Sequence, residues 1–133
     1  MLFRKPYFPA LSWAVIILIL TLLPPQALPK VPDWSLTSIH SLAHLFIFMT
    51  WAFLLLTGFF RAATSGKYNR IWVTFILAVS YGALIEVLQG LMRLGRQPDI
   101  VDIFFNTLGA LLGIAAFFLV KKFFVKEPLR AAK

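Results

Sequence analysis

Residues 86–113 read EVLQGLMRLGRQPDIVDIFFNTLGALLG, and in them polar and charged side chains gather in a chain otherwise built for lipid. Glu86, Gln89 and Arg93 follow at i, i+3 and i+7, which sets them on one stripe of a helix. Asp99, Asp102 and Asn106 repeat that spacing after LGRQP. The stretch therefore predicts the outer end of one transmembrane helix, an Arg-containing turn and the start of the next helix. An ionisable side chain at membrane depth is costly unless it faces protein or water and finds partners, so two polar stripes joined by a short turn predict a site.

The remainder of the chain supports a membrane setting. Of 133 residues, 60% are hydrophobic and 14% charged, too little polar surface to clothe a soluble domain of this length. There is no cysteine, which excludes disulfides, thiolate metal sites and thiol nucleophiles. Apolar runs predict helices over about 8–23, 38–60, 71–92 and 99–120, within a single domain spanning 1–133. The first run is short, and Tyr7 and Trp13 are expected at an interface. It is read as a retained helix rather than a signal peptide, because PPQALPKVP after it lacks a small-x-small cleavage pattern. Those prolines rule out regular helix between the first two spans, and RAATSGKYNR (61–70) is read as a polar turn. Its Ser-Gly-Lys lacks the Gly spacing and preceding strand of a phosphate loop. The fold class expected is all-α, a polytopic four-transmembrane-helix bundle.

Charge orients it. Arg4, Lys5, Arg61, Lys67, Arg70, Lys121, Lys122, Lys126, Arg130 and Lys133 fall on one side of these spans, against Lys30, Arg93 and Arg96 on the other. By the positive-inside rule both termini and the middle loop are cytoplasmic, an N-in, C-in arrangement. The formal charge of +8 thus lies where a topology signal belongs, which argues against nucleic acid as a partner. The basic, Phe-containing tail suits a membrane surface. The topology also brings His40 and His44, at the start of the second helix, to the same outer end as the two polar stripes.

Each residue has a chemical and a structural reading. Glu86 lies roughly 9 Å below the end of its helix, and serves as general acid or base, metal ligand or acceptor for a cationic or hydroxyl-bearing ligand, or as a packing partner for Arg93 or a neutral His. Gln89 is expected to support Glu86. His40 and His44, at i and i+4, share a face and with Glu86 or Asp102 offer mixed nitrogen and oxygen ligands. A polar network or substrate contact is the preferred reading of that pair, and no metal is assigned. Arg93 and Arg96 suit capture of phosphate or carboxylate, with snorkelling beside Asp99 as the plainer alternative. Asp99, after Pro98, is a helix-capping acid whatever the function. Gly109 and Gly113 form a small-xxx-small step for close helix approach, with Gly82 and Ala83 as a matching surface and a homodimer as the alternative.

The combination H-x3-H in SIHSLAHLFIFMTWAFLL, E-x2-Q in EVLQ, the Arg-containing turn and D-x2-D-x3-N-x2-G in DIVDIFFNTLGALLG resembles the VanZ-like family of small bacterial membrane proteins, named after an accessory protein for teicoplanin resistance. The match covers about residues 39–113. Many members of that family carry a Lys one turn before the second His, where this chain has His40. The resemblance implies an inner-membrane, multi-pass protein of the bacterial envelope, with His44, Glu86, Gln89, Arg93, Asp102 and Asn106 as family-typical residues. It implies no settled chemistry, and no cofactor is named by it.

The expected function is binding or modification of an anionic envelope lipid, cell-wall precursor or lipoglycopeptide in an outer-leaflet pocket, affecting glycopeptide susceptibility. In it Glu86, His44 and Asp102 are the candidate catalytic groups, and His40, Gln89, Arg93, Arg96 and Asn106 the ligand-binding ones. The alternatives are a headgroup hydrolase or transferase using those catalytic groups, a small oligomeric transporter, and a cluster that only holds helices together.

Overall fold

A computed structural model describes residues 5–24, 36–62, 66–92 and 99–124. Among them the secondary structure is entirely helical: α1 (Phe8–Leu22), α2 (Leu36–Ala62), α3 (Lys67–Met92) and α4 (Ile100–Phe124). Three of these, α2, α3 and α4, are long and apolar enough to cross a membrane. With 15 residues, α1 extends about 22 Å, short of the roughly 30 Å of a hydrocarbon core.

Local chemistry sets the helix ends. Pro9 sits in the first turn of α1, where its missing N–H has no intrahelical partner to lose. Leu23 is extended (φ −61°, ψ 136°) because it precedes Pro24, so α1 stops at Leu22. The expected polar turn at 61–70 is shorter than its composition implies, since α3 already includes Lys67 to Arg70, with Arg70 N–H donating to the Gly66 carbonyl at 3.1 Å. Polar side chains do not oppose helix in a first turn that stands in water. At the other end of the chain α4 runs through Lys121 and Lys122 to Phe124, where cations favour the negative end of the helix dipole.

The contacts show how the helices run. Ser41 meets Asp102, His44 meets Asn106 and Phe53 meets Phe117, so α2 and α4 are parallel, and theirs is the most extensive interface. On α3, Glu86 meets Asp99 and Gly82 meets Asn106, so α3 is antiparallel to α4. Trp51 Nε1 donates to the Ala10 carbonyl at 2.9 Å and Trp13 Nε1 to the Ile47 carbonyl at 3.0 Å, which makes α1 antiparallel to α2. Tyr81 Oη donates to the Ala14 carbonyl at 2.7 Å and Gln89 Nε2 to the Thr21 carbonyl at 2.8 Å. These bonds hold α1 parallel to α3. Trp13 is half-buried and packs between α1 and α2.

Gly109 and Gly113 make the α2–α4 approach possible. A Cβ on Gly109 would overlap the Leu45 carbonyl oxygen and stand 3.1 Å from Met49 N, and one on Gly113 would overlap the Met49 carbonyl oxygen and stand 3.1 Å from the Ala52 methyl. The surface matching this glycine step is thus α2. Gly82, expected to match it, lies instead against Asn106. The buried core runs along the bundle through Ile17, Phe48, Trp51, Leu56 and Ile85, while Val15, Trp72, Ile76, Leu111 and Leu119 face outward, as lipid contact requires.

Candidate functional site

The alternating directions bring the end of α1, the start of α2, the end of α3 and the start of α4 to one end of the bundle. There Ser41, His44, Glu86, Gln89, Asp102 and Asn106 are all buried, at 4% exposure or less. Each arrives by helical spacing: Ser41 and His44 lie three residues apart on α2, and Asp102 and Asn106 four apart on α4, so that two rungs form between the parallel helices. In the first, Ser41 Oγ donates to Asp102 Oδ1 at 3.0 Å and His40 Nε2 stands 3.3 Å from Asp102 Oδ2. In the second, His44 Nδ1 stands 2.9 Å from Asn106 Oδ1. The two imidazoles meet edge to face, with centroids 4.7 Å apart.

A carboxylate of α3 closes the site from the other side. Asp99 caps α4, its Oδ1 accepting from Val101 N–H at 2.8 Å, and the Asp99 N–H in turn donates to Glu86 Oε2 at 2.9 Å. Glu86 thereby ties the end of α3 to the start of α4. Its other oxygen, Oε1, is buried and accepts no hydrogen bond from the described residues; Asn106 Nδ2 likewise donates none there. Buried polar atoms are nearly always paired, so this acceptor and this donor are the atoms most open to a ligand.

The structure joins His40, His44, Glu86, Asp102 and Asn106, but with partners that differ from those expected. His40 faces the Asp102 carboxylate, a partner the sequence offered to both histidines. Gln89 reaches α1 through the Thr21 carbonyl instead of supporting Glu86. Arg93 and Arg96 lie outside the described residues. Ser41 joins the site without being a sequence candidate, although its place three residues before His44 puts it on the same helix face. One ring nitrogen from each of His40 and His44 and one Asp102 carboxylate oxygen all lie within 4.8 Å of one another, the spatial condition for a shared cation.

The opposite end of the bundle is basic. Arg70 and Lys121 flank the Phe60 ring at 4.7 Å and 5.0 Å from its centroid, and Lys67 stands 4.9 Å from that of Phe118. Acidic groups and basic groups are therefore segregated along the bundle axis among the described residues.

Neither the curated proteins nor the solved structures contain a match to the chain. A family model does match: with the helical bundle and its polar end in place, the VanZ/LLP1 model covers residues 2–121 of the 133, and the chain belongs to that family.

Proposed function

We propose that this protein is a multi-pass protein of the bacterial cytoplasmic membrane whose outer polar cluster binds the headgroup of an anionic envelope lipid, a lipid-linked cell-wall precursor or a lipoglycopeptide, and so alters susceptibility to glycopeptide antibiotics. The observation that carries this reading is Glu86 Oε1, a buried carboxylate oxygen with no donor among the described residues. Leaving such an atom unpaired is expensive, and a ligand hydroxyl or ammonium satisfies it. Arg93 and Arg96, next in sequence after α3, supply the charge for a phosphate or carboxylate on the same headgroup.

Native mass spectrometry of protein released from gentle detergent tests this. Wild type should carry a headgroup-selective adduct that Glu86→Gln and Arg93→Ala lose, while Glu86→Gln melts within a few degrees of wild type because its amide still accepts from Asp99 N–H. Equal adducts on all three proteins, or none, would remove the reading. The His40–Asp102 contact favours a second one, in which the site also cleaves or transfers the bound headgroup. Turnover by purified protein that disappears in Asp102→Asn distinguishes catalysis from binding.

Four spans, with both termini cytoplasmic, belong to the same proposal. The alternating helix directions and the basic residues at 61–70 and after α4 support it. The chain has no cysteine to interfere with single-cysteine labelling. Gly66→Cys and Phe124→Cys should react with an impermeant maleimide only after the membrane is opened, and Ile100→Cys, 83% exposed, should react in intact cells. The reverse pattern would invert the protein and place the polar cluster on the cytoplasmic side.

A further inference from the structure

We infer that His40, His44 and Asp102 form a binding site for one divalent transition-metal ion, with zinc as its probe, and that the ion keeps a coordination position open toward the headgroup. Tetrahedral zinc with bonds of about 2.0–2.1 Å holds its nitrogen and oxygen ligands about 3.3 Å apart. The His40 Nε2 to Asp102 Oδ2 separation is 3.3 Å, longer than the roughly 2.7–2.9 Å of a charge-assisted hydrogen bond. The full set of three ligand atoms lies within 4.8 Å, so closing it around an ion takes movement of about 1.5 Å at most. His40, 38% exposed at its side chain, has room for that movement.

The surroundings favour an ion over a simple ion pair. A His–Asp pair has no use for a second imidazole at its side, whereas a metal does. His44 Nδ1 stands 2.9 Å from Asn106 Oδ1, a side-chain partner of the kind that orients metal-bound histidines. Ser41 Oγ fixes Asp102 through its other oxygen and leaves Oδ2 toward His40. Glu86 and Asp99 bring two further carboxyl groups to the same end, while the described Lys and Arg side chains stand toward the opposite end.

Ion binding stands on this geometry alone; the use of the open position rests on the headgroup reading above. Untagged full-length protein, stripped with a chelator, is titrated with Zn²⁺ by calorimetry and its bound metal counted by mass spectrometry. One ion per chain at micromolar affinity or tighter is expected, weakened about tenfold or more in His40→Ala and in Asp102→Asn. Co²⁺ should give the visible bands of tetrahedral coordination in wild type and lose them in His40→Ala. Circular dichroism confirms that the variants are folded. Folded wild type that takes up no zinc at micromolar concentration, or folded His40→Ala with full affinity, would overturn the site. Zinc uptake without any lipid adduct keeps the ion and removes the headgroup reading. An adduct of equal intensity with and without zinc removes the ion's part in ligand capture.

Discussion

Gly109→Ala and Gly113→Ala should each lower the stability of the folded protein by about 2–3 kcal/mol, measured as the shift of its unfolding curve in SDS. The added methyl meets backbone of α2, and backbone cannot rotate out of the way as a side-chain tip does. Alanine's better helix propensity, worth at most about 1 kcal/mol, opposes the loss without reversing it. The helices must separate, and separation has a second effect. The Ser41–Asp102 and His44–Asn106 rungs, at 3.0 Å and 2.9 Å, lie on the same interface, and an opening of about 1 Å takes both beyond hydrogen-bonding distance. Gly66→Ser is the control. A Cβ there meets nothing within 4 Å and Ser suits the position before a helix, so stability should hold or rise slightly. Wild-type stability in both alanine variants would show that α2 and α4 do not approach as described.

Trp51→Ala should cost about 3 kcal/mol and release α1 from the bundle. Trp51 is 7% exposed, rests against Tyr81 with centroids 4.8 Å apart and against Phe48 at 6.0 Å, and donates to the Ala10 carbonyl. Lipid is as apolar as these neighbours, so the loss comes from emptied packing volume and the broken bond rather than from exposure to water. Trp51→Phe keeps most of the ring contacts and should cost about 1 kcal/mol, near the worth of one membrane hydrogen bond. The check is SDS unfolding together with tryptophan fluorescence, since Trp13 reports directly on the α1–α2 contact. If Trp51→Ala unfolds like wild type, α1 does not depend on that anchor.

Hydrophobic periodicity in the sequence marks which face of a helix turns inward, but not which helix it meets. That is why Asp102 and Asn106 could be singled out from spacing, while their partners Ser41 and His44 could not be assigned to them in pairs. The glycine step was legible as a close contact for the same reason, and its matching surface was not: Leu45 and Met49 contribute backbone atoms to it, and a backbone contact leaves no trace in residue type. Gln89 was grouped with Glu86 because they lie three residues apart. The stripe they share is wide enough for Glu86 to reach α4 and Gln89 to reach α1. At Lys67 to Arg70 the apolar span and the helix do not coincide, since a helix continues into water where a hydrophobic run must stop.

The bond from Gln89 to the Thr21 carbonyl also bears on how the protein is made. Its two residues are 68 apart, and ribosomes add about 5–20 residues per second, so roughly 3–14 s pass between the synthesis of one partner and the other. Throughout that interval α1, which emerges before α3, holds carbonyls whose donors on α3 do not yet exist. Its final seat is thus completed only after the third helix has left the ribosome, and changes at Tyr81 or Gln89 should appear in cells first as an early-helix insertion defect, with newly made chains cleared by proteases before the polar end is ever assembled.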